Sequence, residues 1–339
     1  MGKLAKAFGL DKKGKIGLTV AKSSYIAGEL VVGAIYIDIH EPIECDALVL
    51  KVTGKEKVEF THIRREFRDG ESIEHREFIH HDKDFFKQKI VIFATQGQSY
   101  VPGRYMYAFE YQLPLELPGA FKISGYSQGD VESLLAKIKY KFKATLDVGG
   151  FFASDLKADC DLVVHERNLK DLVPSEDSIT QDVKFLCCFS RGVCELAVAM
   201  DKSVYFTGET ARIQCNINNR SSVEITAMRC KLYQDITVKV GGLNRTFTKI
   251  MCENAFPGVS AGSALTQPQP LTLVPSHSGF LQPSTKGDLI ACAYHIDVEC
   301  DIPWCPDVCM HLPVSIIAAE LPTSGAGWVP DSTEGFKQG

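Results

Sequence analysis

The sequence predicts an all-β protein built from two tandem antiparallel β-sandwiches, and a long internal repeat is the first observation behind this fold class. Residues 22–29 (KSSYIAGE) recur as residues 202–209 (KSVYFTGE). The offset of 180 (202 − 22) continues without a gap to Val52 and Leu232 and includes nine identical pairs. Average residue usage gives roughly two chance matches in such a window. A repeat this long indicates a duplicated domain, because solenoid repeats span about 20–50 residues.

Alternation of apolar residues is the second observation. After the turn signals at Gly28 and Gly208, apolar side chains fall on every second position. Period-2 patterning between turn residues is typical of strands with one buried face. We therefore expect the following matched residues of the two copies to be buried: Ile35 and Ile37, with Cys215 and Ile217.

The predicted strands follow one another with little room for helix. The first domain is expected to contain strands over 16–22, 30–40, 45–60, 89–94, 104–113, 139–148 and 158–165. Only residues 130–137 could form a short helix. The ends of the copies match with an offset of 150, Leu146 with Ile296 and Val164 with Val314, so the first domain should carry 30 (180 − 150) extra residues.

Domain boundaries follow from these patterns. The predicted segments are a basic N-terminal tail (1–15), a first domain (16–167), a linker (168–182), a second domain (183–319) and a short polar tail (320–339). The linker is rich in polar residues and contains Pro174. The basic tail is most simply a solvated segment, and weak attraction to anionic membrane is the alternative.

Composition excludes several classes of protein. The chain has 339 residues, 45% of them hydrophobic and 23% charged, as in ordinary globular proteins. A net charge of −5 argues against nucleic acid as a partner. The first residues lack the apolar core of a secretory signal, so the twelve cysteines are expected to be free thiols in the cytoplasm.

Residues 61–88 are the candidate partner-binding segment. They contain four of the nine histidines among dense mixed charge, and Asp69-Gly70 is a hairpin-turn signal. We expect this segment to hold the extra residues of the first domain as a projecting hairpin, since binding residues concentrate on loops. A plain solvated hairpin is the alternative. The candidate contact residues are Arg64, Arg65, Arg68, His75, Arg76, His80 and His81.

Two motifs suggest chemistry, each with a simpler explanation. Cys292, Cys300, Cys305 and Cys309 lie close enough in sequence to suggest zinc, but no C-x-x-C pair occurs, so structural thiols are favoured and no metal or other cofactor is expected. Residues 125–129 (GYSQG) match G-x-S-x-G, the nucleophile elbow of hydrolases. A hydrolase hypothesis would place Ser127 as the nucleophile with His165 or His295 as its partner. A nucleophile elbow, however, requires a parallel sheet with alternating helices.

Several motifs, in this order, resemble those of the arrestin family, and of the alpha-arrestins (arrestin domain-containing proteins) in particular. The similarity runs from about Ile16 to Ala319. The matching motifs are Tyr25-x-x-Gly28-Glu29, Tyr205-x-x-Gly208-Glu209, Pro102-Gly103-x-Tyr105, Phe109-x-Tyr111-x-Leu113-Pro114-x-x-Leu117-Pro118, Cys187-Cys188-Phe189, Pro303-Trp304 and Leu312-Pro313-Val314.

This resemblance implies two immunoglobulin-like antiparallel sandwiches acting as a non-catalytic adaptor. It implies partners among the cytoplasmic regions of membrane receptors or transporters and among the trafficking machinery, with peripheral association at the plasma membrane or endosomes. The arrestin-like subunit of retromer is the alternative within the fold. Alpha-arrestins commonly recruit ubiquitin ligases through Pro-Pro-x-Tyr, which does not occur in these 339 residues, so that activity is not carried over.

Overall fold

The structure, a computed structural model, describes residues 13–68, 70–96, 98–148, 155–169, 174–185, 189–276, 280–318 and 335–338. The chain divides into two compact units, Met1–Arg167 with Glu320–Gly339, and Asn168–Ala319. Every regular element in these ranges is a strand, which confirms the all-β class with two tandem sandwiches. The described part of the chain contains no helix long and apolar enough to cross a membrane.

The first unit contains ten strands before residue 167 and an eleventh strand near the end of the chain. Their bounds are β1 (Gly14–Val20), β2 (Ser24–Ile26), β3 (Leu30–Ile39), β4 (Ile43–Arg68), β5 (Glu71–Ala94), β6 (Ser99–Tyr100), β7 (Gly103–Gln112), β8 (Phe121–Gln128), β9 (Val131–Val148) and β10 (Leu156–His165).

Two sheets form the first sandwich. One has the order β1-β3-β7, and the other has the order β2-β10-β9-β4-β5, with β6 beside β4 and β8 beside β9. The sheets meet through aromatic rings: Phe109 and Tyr111 of β7 lie 6.0 and 5.6 Å, centroid to centroid, from Phe142 of β9. Such ring contacts add to the burial of apolar area that holds a sandwich together.

The second unit repeats this plan. Its strands are β11 (Ser175–Phe185), β12 (Phe189–Met200), β13 (Val204–Phe206), β14 (Thr210–Ala211), β15 (Ile213–Ser221), β16 (Ile225–Val240), β17 (Leu243–Val259), β18 (Ala264–Pro268), β19 (Leu271–Thr272), β20 (Thr285–Lys286), β21 (Ile290–Asp301) and β22 (Val308–Ile317). The sheet orders are β11-β12-β15-β18 and β13-β22-β21-β16-β17, with β20 beside β21 and β14 beside β19. A last strand, β23 (Lys337–Gln338), pairs in parallel with β7 of the first unit.

The register of the opening strands reproduces the sequence repeat. Ile16 lies opposite Ile37 in the first unit, and Leu196 lies opposite Ile217 in the second, so both residues of the pair are shifted by 180. Ile35, Ile37 and Cys215 are fully buried, and Ile217 is nearly so, which confirms the expected core positions.

The match at the ends of the two copies was misaligned. Val52 pairs with Phe142, and Leu232 pairs with Ile296, so these strands correspond with an offset of 154 (296 − 142) and not 150. The first unit therefore has 26 (180 − 154) extra residues in this interval, not 30. Because the error is an even number of residues, it left the buried face unchanged.

Two segments form strands that the sequence analysis did not assign. Residues 130–137, which could have formed a short helix, are the turn and first part of β9, because pairing with β4 and β8 outweighs local helix preference. Residues 175–182, expected as linker, belong to β11, an edge strand that pairs with β12. Edge strands are often polar, so their composition resembles that of a linker.

Candidate functional site: the β4–β5 hairpin and its surroundings

The β4–β5 hairpin extends past the sheet that supports it. β9 begins at Val131, opposite His62, so residues 64–68 pair only with residues 71–75 of β5. Every described residue among 64–75 is exposed. We call residues 64–75 the tip. The backbone N–H and C=O groups of its two arms form hydrogen bonds with each other, so the tip needs no pairing with a third strand to remain a hairpin.

The hairpin holds most, but not all, of the extra residues of the first unit. From Val52 to its partner Gln88 there are 36 positions, whereas from Leu232 to its partner Cys252 there are 20. The difference of 16 accounts for part of the 26, and the other 10 lie between Gln88 of β5 and Phe142 of β9. The expectation that residues 61–88 hold all the extra residues was therefore wrong.

Ion pairs run along the hairpin rather than across a pocket. Glu74 accepts hydrogen bonds from Arg76 (2.9 Å) and Arg65 (3.4 Å), and Arg76 also donates to Glu132 of β9 at 3.1 Å. The Arg76 guanidinium, followed by Arg65, lowers the pKa of the Glu74 carboxyl. These groups lie at the surface, where water screens such pairs and they add little to stability.

The candidate histidines differ in their surroundings. Nδ1 of His80 lies 2.8 Å from Oε1 of Glu59, and Nε2 of His75 lies 3.7 Å from Glu66. His81 and Arg64, in contrast, have no hydrogen-bond or ion-pair partner among the described residues. The structure therefore places all seven candidate residues on one hairpin, but it does not bring the histidines together as a metal site.

Exposed aromatic side chains on the hairpin were not singled out by the sequence analysis. Phe67 is 80% exposed and Phe78 is 67% exposed, while Ile73 between them is 41% exposed. Aromatic residues and arginine are enriched where proteins bind one another. The sequence does contain a signal for these side chains, because Phe67 interrupts an otherwise charged run. Alternation with a period of two residues, however, does not indicate what Phe67 contacts.

The G-x-S-x-G segment does not form a nucleophile elbow. Ser127 lies on β8, followed by a turn into β9, where an elbow requires a turn into a helix. Its Oγ accepts a hydrogen bond from the Ser133 backbone N–H at 3.0 Å. His165, proposed as its partner, has a buried Nδ1 without a hydrogen bond, and burial lowers its pKa. His295 contacts Asp235 and Asp297 instead.

The four late cysteines do not form one zinc site. Cys300 lies opposite Val308 and Glu299 lies opposite Cys309, so Cys300 and Cys309 point to opposite faces of the sheet. Cys292 and Cys300 are eight residues (300 − 292) apart on β21. That separation corresponds to about 26 Å along a strand. Cysteines that are near one another in the sequence are therefore not brought together in space.

The cysteines of the second unit mostly lie in its core. Cys194 of β12 is close to Cys300 of β21, and Cys215 of β15 is close to Cys230 of β16, so each pair joins the two sheets. All four are fully buried. They act as small apolar side chains at the centre of the sandwich.

A polar cluster in the second unit was missed by sequence reasoning. His295 and Asp297 of β21 and His311 of β22 lie together on the outer face of the larger sheet. The signal that could have revealed them is the H-x-D spacing at 295–297 and the C-x-H spacing at 309–311, which place side chains on one face of a strand.

Comparisons with known proteins agree with this architecture. The model of the arrestin (or S-antigen) N-terminal domain matches residues 15–168, and the model of the C-terminal domain matches residues 190–321. Arrestin domain-containing protein A of Dictyostelium discoideum is 28% identical over 325 residues, which are 92% of this chain and 52% of that protein. Arrestin domain-containing protein B of the same organism is 20% identical over 301 residues, 87% of this chain and 44% of that protein.

The chain thus spans about half the length of the curated relatives that it matches. Two arrestin domain models in the expected order, together covering most of the sequence, agree with two sandwiches that share a register and an opening motif. The chain belongs to the arrestin family.

Proposed function

We propose that this chain is a non-catalytic adaptor that binds cytoplasmic regions of membrane receptors or transporters and directs their endocytosis or endosomal sorting. Two arrestin-type sandwiches support this proposal, because such a fold offers large surfaces rather than a chemical site. The proposed place of action is the cytoplasmic side of the plasma membrane or of endosomes, together with the trafficking machinery.

One observation carries the assignment of a contact surface. The tip of the β4–β5 hairpin projects beyond β9 and presents Arg64, Arg65 and Arg68 beside the exposed ring of Phe67. The tip carries three arginines and four acidic residues, so its mixed charge and exposed aromatic ring suit a partner segment that offers an apolar contact among polar groups.

The test replaces residues 64–75 with Gly-Gly. Both glycines between β16 and β17, Gly241 and Gly242, have positive φ, as a two-residue hairpin turn requires. The replacement keeps Ile63 opposite Arg76 and retains the ion pair of Arg76 with Glu132. Capture of membrane proteins and trafficking factors from cells should fall severalfold, and the thermal unfolding temperature should hardly change.

A point variant separates side-chain recognition from hairpin length. Phe67→Ser with Phe78→Ser should reduce capture, whereas Leu115→Ser, which changes a side chain that is 66% exposed in the same unit, should not. If capture survives both hairpin variants in folded protein, the hairpin is not the contact surface. If the intact protein captures no membrane protein or trafficking factor, the adaptor function itself is contradicted.

A further inference from the structure

The outer face of the larger sheet in the second unit carries a compact set of metal-binding side chains. His311 lies directly opposite Asp297 in the β21–β22 ladder, and its Nδ1 is 2.6 Å from Oδ1 of Asp297. Nε2 of His295 is 3.5 Å from the same oxygen. One carboxylate oxygen is therefore shared by two imidazoles from neighbouring strands, and the three donor atoms lie within 4.8 Å of one another.

Asp297 is a buried carboxylate that lacks a lysine or arginine partner. The residue is 5% exposed, and among the described residues its side chain contacts His295 and His311 and lies within 4.8 Å of the Cys309 thiol. The neighbouring ammonium of Lys231 is paired with Glu299. A buried carboxylate without a compensating cation is costly, so the site requires positive charge from protonated imidazole or from a bound cation.

The environment of His295 favours a bound cation. Its Nδ1 lies 2.8 Å from Oδ2 of Asp235, whose Oδ1 accepts a hydrogen bond of 2.6 Å from Thr248. The imidazole also stacks on Tyr233, with ring centroids 5.0 Å apart and planes 8° apart. A carboxylate on Nδ1 fixes the proton there and leaves the lone pair of Nε2 directed toward Asp297. Histidine ligands of metals in proteins typically have such a second partner.

The distances match a small divalent ion. Zinc binds nitrogen and oxygen at about 2.0–2.2 Å in tetrahedral sites, so two of its ligand atoms lie about 3.4 Å apart. The separation of 3.5 Å between Nε2 of His295 and Oδ1 of Asp297 already fits. His311 is too close to Asp297 for a shared ion, but its side chain is 67% exposed and can turn outward by less than 1 Å of movement.

We propose that His295 (Nε2), Asp297 and His311 (Nδ1) form a zinc site on the face of the second sandwich, with Asp235 as the positioning residue of His295. Two imidazoles and one carboxylate are donors that suit zinc, and the fourth ligand is water on the solvent side. The thiol of Cys309 lies within 4.8 Å of the Asp297 carboxylate, on the same face of the sheet. The ion neutralises the buried charge and ties β21 to β22.

The experiment measures zinc binding to the purified 339-residue chain after treatment with a chelator. Isothermal titration with zinc chloride should give one site per chain, and zinc should raise the thermal unfolding temperature. His311→Ala, at a mostly exposed side chain, should fold normally and weaken binding at least about tenfold. Asp235→Ala should weaken binding by about 10–100-fold, and Asp235→Asn, which keeps a hydrogen-bond acceptor, should recover part of that loss.

Matched controls identify adventitious binding. The double variant His80→Ala and His81→Ala removes two exposed histidines of the hairpin and should leave zinc affinity unchanged. Cys309→Ser keeps a small polar side chain near Asp297 and should also bind. The proposal is overturned if zinc binds with equal affinity to the wild type and to His311→Ala. It is also overturned if no site is detected, in which case protonated imidazole compensates Asp297.

Discussion

The ammonium of Lys22 lies 3.2 Å from the carboxylate of Glu29, and the same carboxylate accepts the backbone N–H of Ile26 at 2.9 Å. Lys202 and Glu209 reproduce this arrangement in the second unit at 2.9 Å, with the N–H of Phe206 at 2.8 Å. The repeated K-S-x-Y-x-x-G-E sequence therefore encodes a closed turn. Its glycines, Gly28 and Gly208, have φ of +85° and +87°, which other residues rarely adopt.

Removing the glutamate should cost more in the first unit than in the second. The side chains of Lys22 and Glu29 are 5% and 17% exposed, whereas those of Lys202 and Glu209 are 26% and 34% exposed. Glu29→Ala should lower the free energy of unfolding by about 2–3 kcal/mol, because it removes the carboxylate partner of a nearly buried ammonium and the acceptor of the Ile26 N–H. Glu209→Ala should cost about 1 kcal/mol. Denaturant unfolding that gives equal losses would contradict the role of burial.

A charge in the core of the first sandwich should be far less tolerated than one at its surface. Ile37 is fully buried between β1 and β7. Ile37→Asp should lower the free energy of unfolding by several kcal/mol, because it buries an unpaired carboxylate. Val163→Asp, at a strand position that is 42% exposed, is the control and should cost much less. Circular dichroism during thermal unfolding measures both, and similar melting temperatures for the two variants would disprove the packing described.

All twelve cysteines should be free thiols in protein prepared without oxidant. The ten cysteines in the described ranges form no disulfide, and seven of them are buried. Burial, together with Asp46, raises the pKa of Cys45 to about 11, so its reactive thiolate is scarce at neutral pH. A thiol reagent should therefore count twelve groups after denaturation and react slowly with most of them in folded protein. A count well below twelve under denaturing conditions would refute the prediction.

His165 should make the protein less stable in mild acid. Burial lowers its pKa in the folded state below the ordinary value of 6.5. As pH falls below 6.5, the unfolded chain binds a proton that the folded chain excludes, so the free energy of unfolding decreases until the folded pKa is reached. Across that interval the loss approaches about 1.4 kcal/mol per pH unit.

The variant His165→Asn removes the titrating group. The difference in unfolding free energy between wild type and variant should be constant above pH 7 and should change as the pH falls below 6.5. Denaturant unfolding at several pH values measures it. A difference that is independent of pH would show that His165 is protonated equally in both states.

Shortening the β4–β5 hairpin should leave the first unit stable. The tip is exposed throughout and pairs only with itself, so replacing residues 64–75 with Gly-Gly removes little buried apolar area. We expect a change of less than about 1 kcal/mol in unfolding free energy. A cooperative loss of structure in the first unit, seen by calorimetry, would instead assign the tip a structural role.

The sequence by itself determined the duplication, the strand character and the buried face of the opening strands. It could do so because these features depend on local spacing. Alternation with a period of two residues puts Ile37 and Ile217 in the core, and the ungapped offset of the repeat preserves their cross-strand partners, Ile16 and Leu196. The K-S-x-Y-x-x-G-E turn is likewise built from residues at most seven positions apart.

Only the tertiary structure decided which distant residues meet. Edge pairing with β12 placed residues 175–182 of the expected linker in a strand. Pairing with β4 placed residues 131–137 in a strand, where the local sequence also allowed a short helix. Strand register separated Cys300 from Cys309 onto opposite faces and brought Asp297 opposite His311. A shift of one residue in the register of that ladder would move every side chain of the strand to the other face of the sheet. No local pattern encodes the register, since it arises from packing between strands far apart in the sequence.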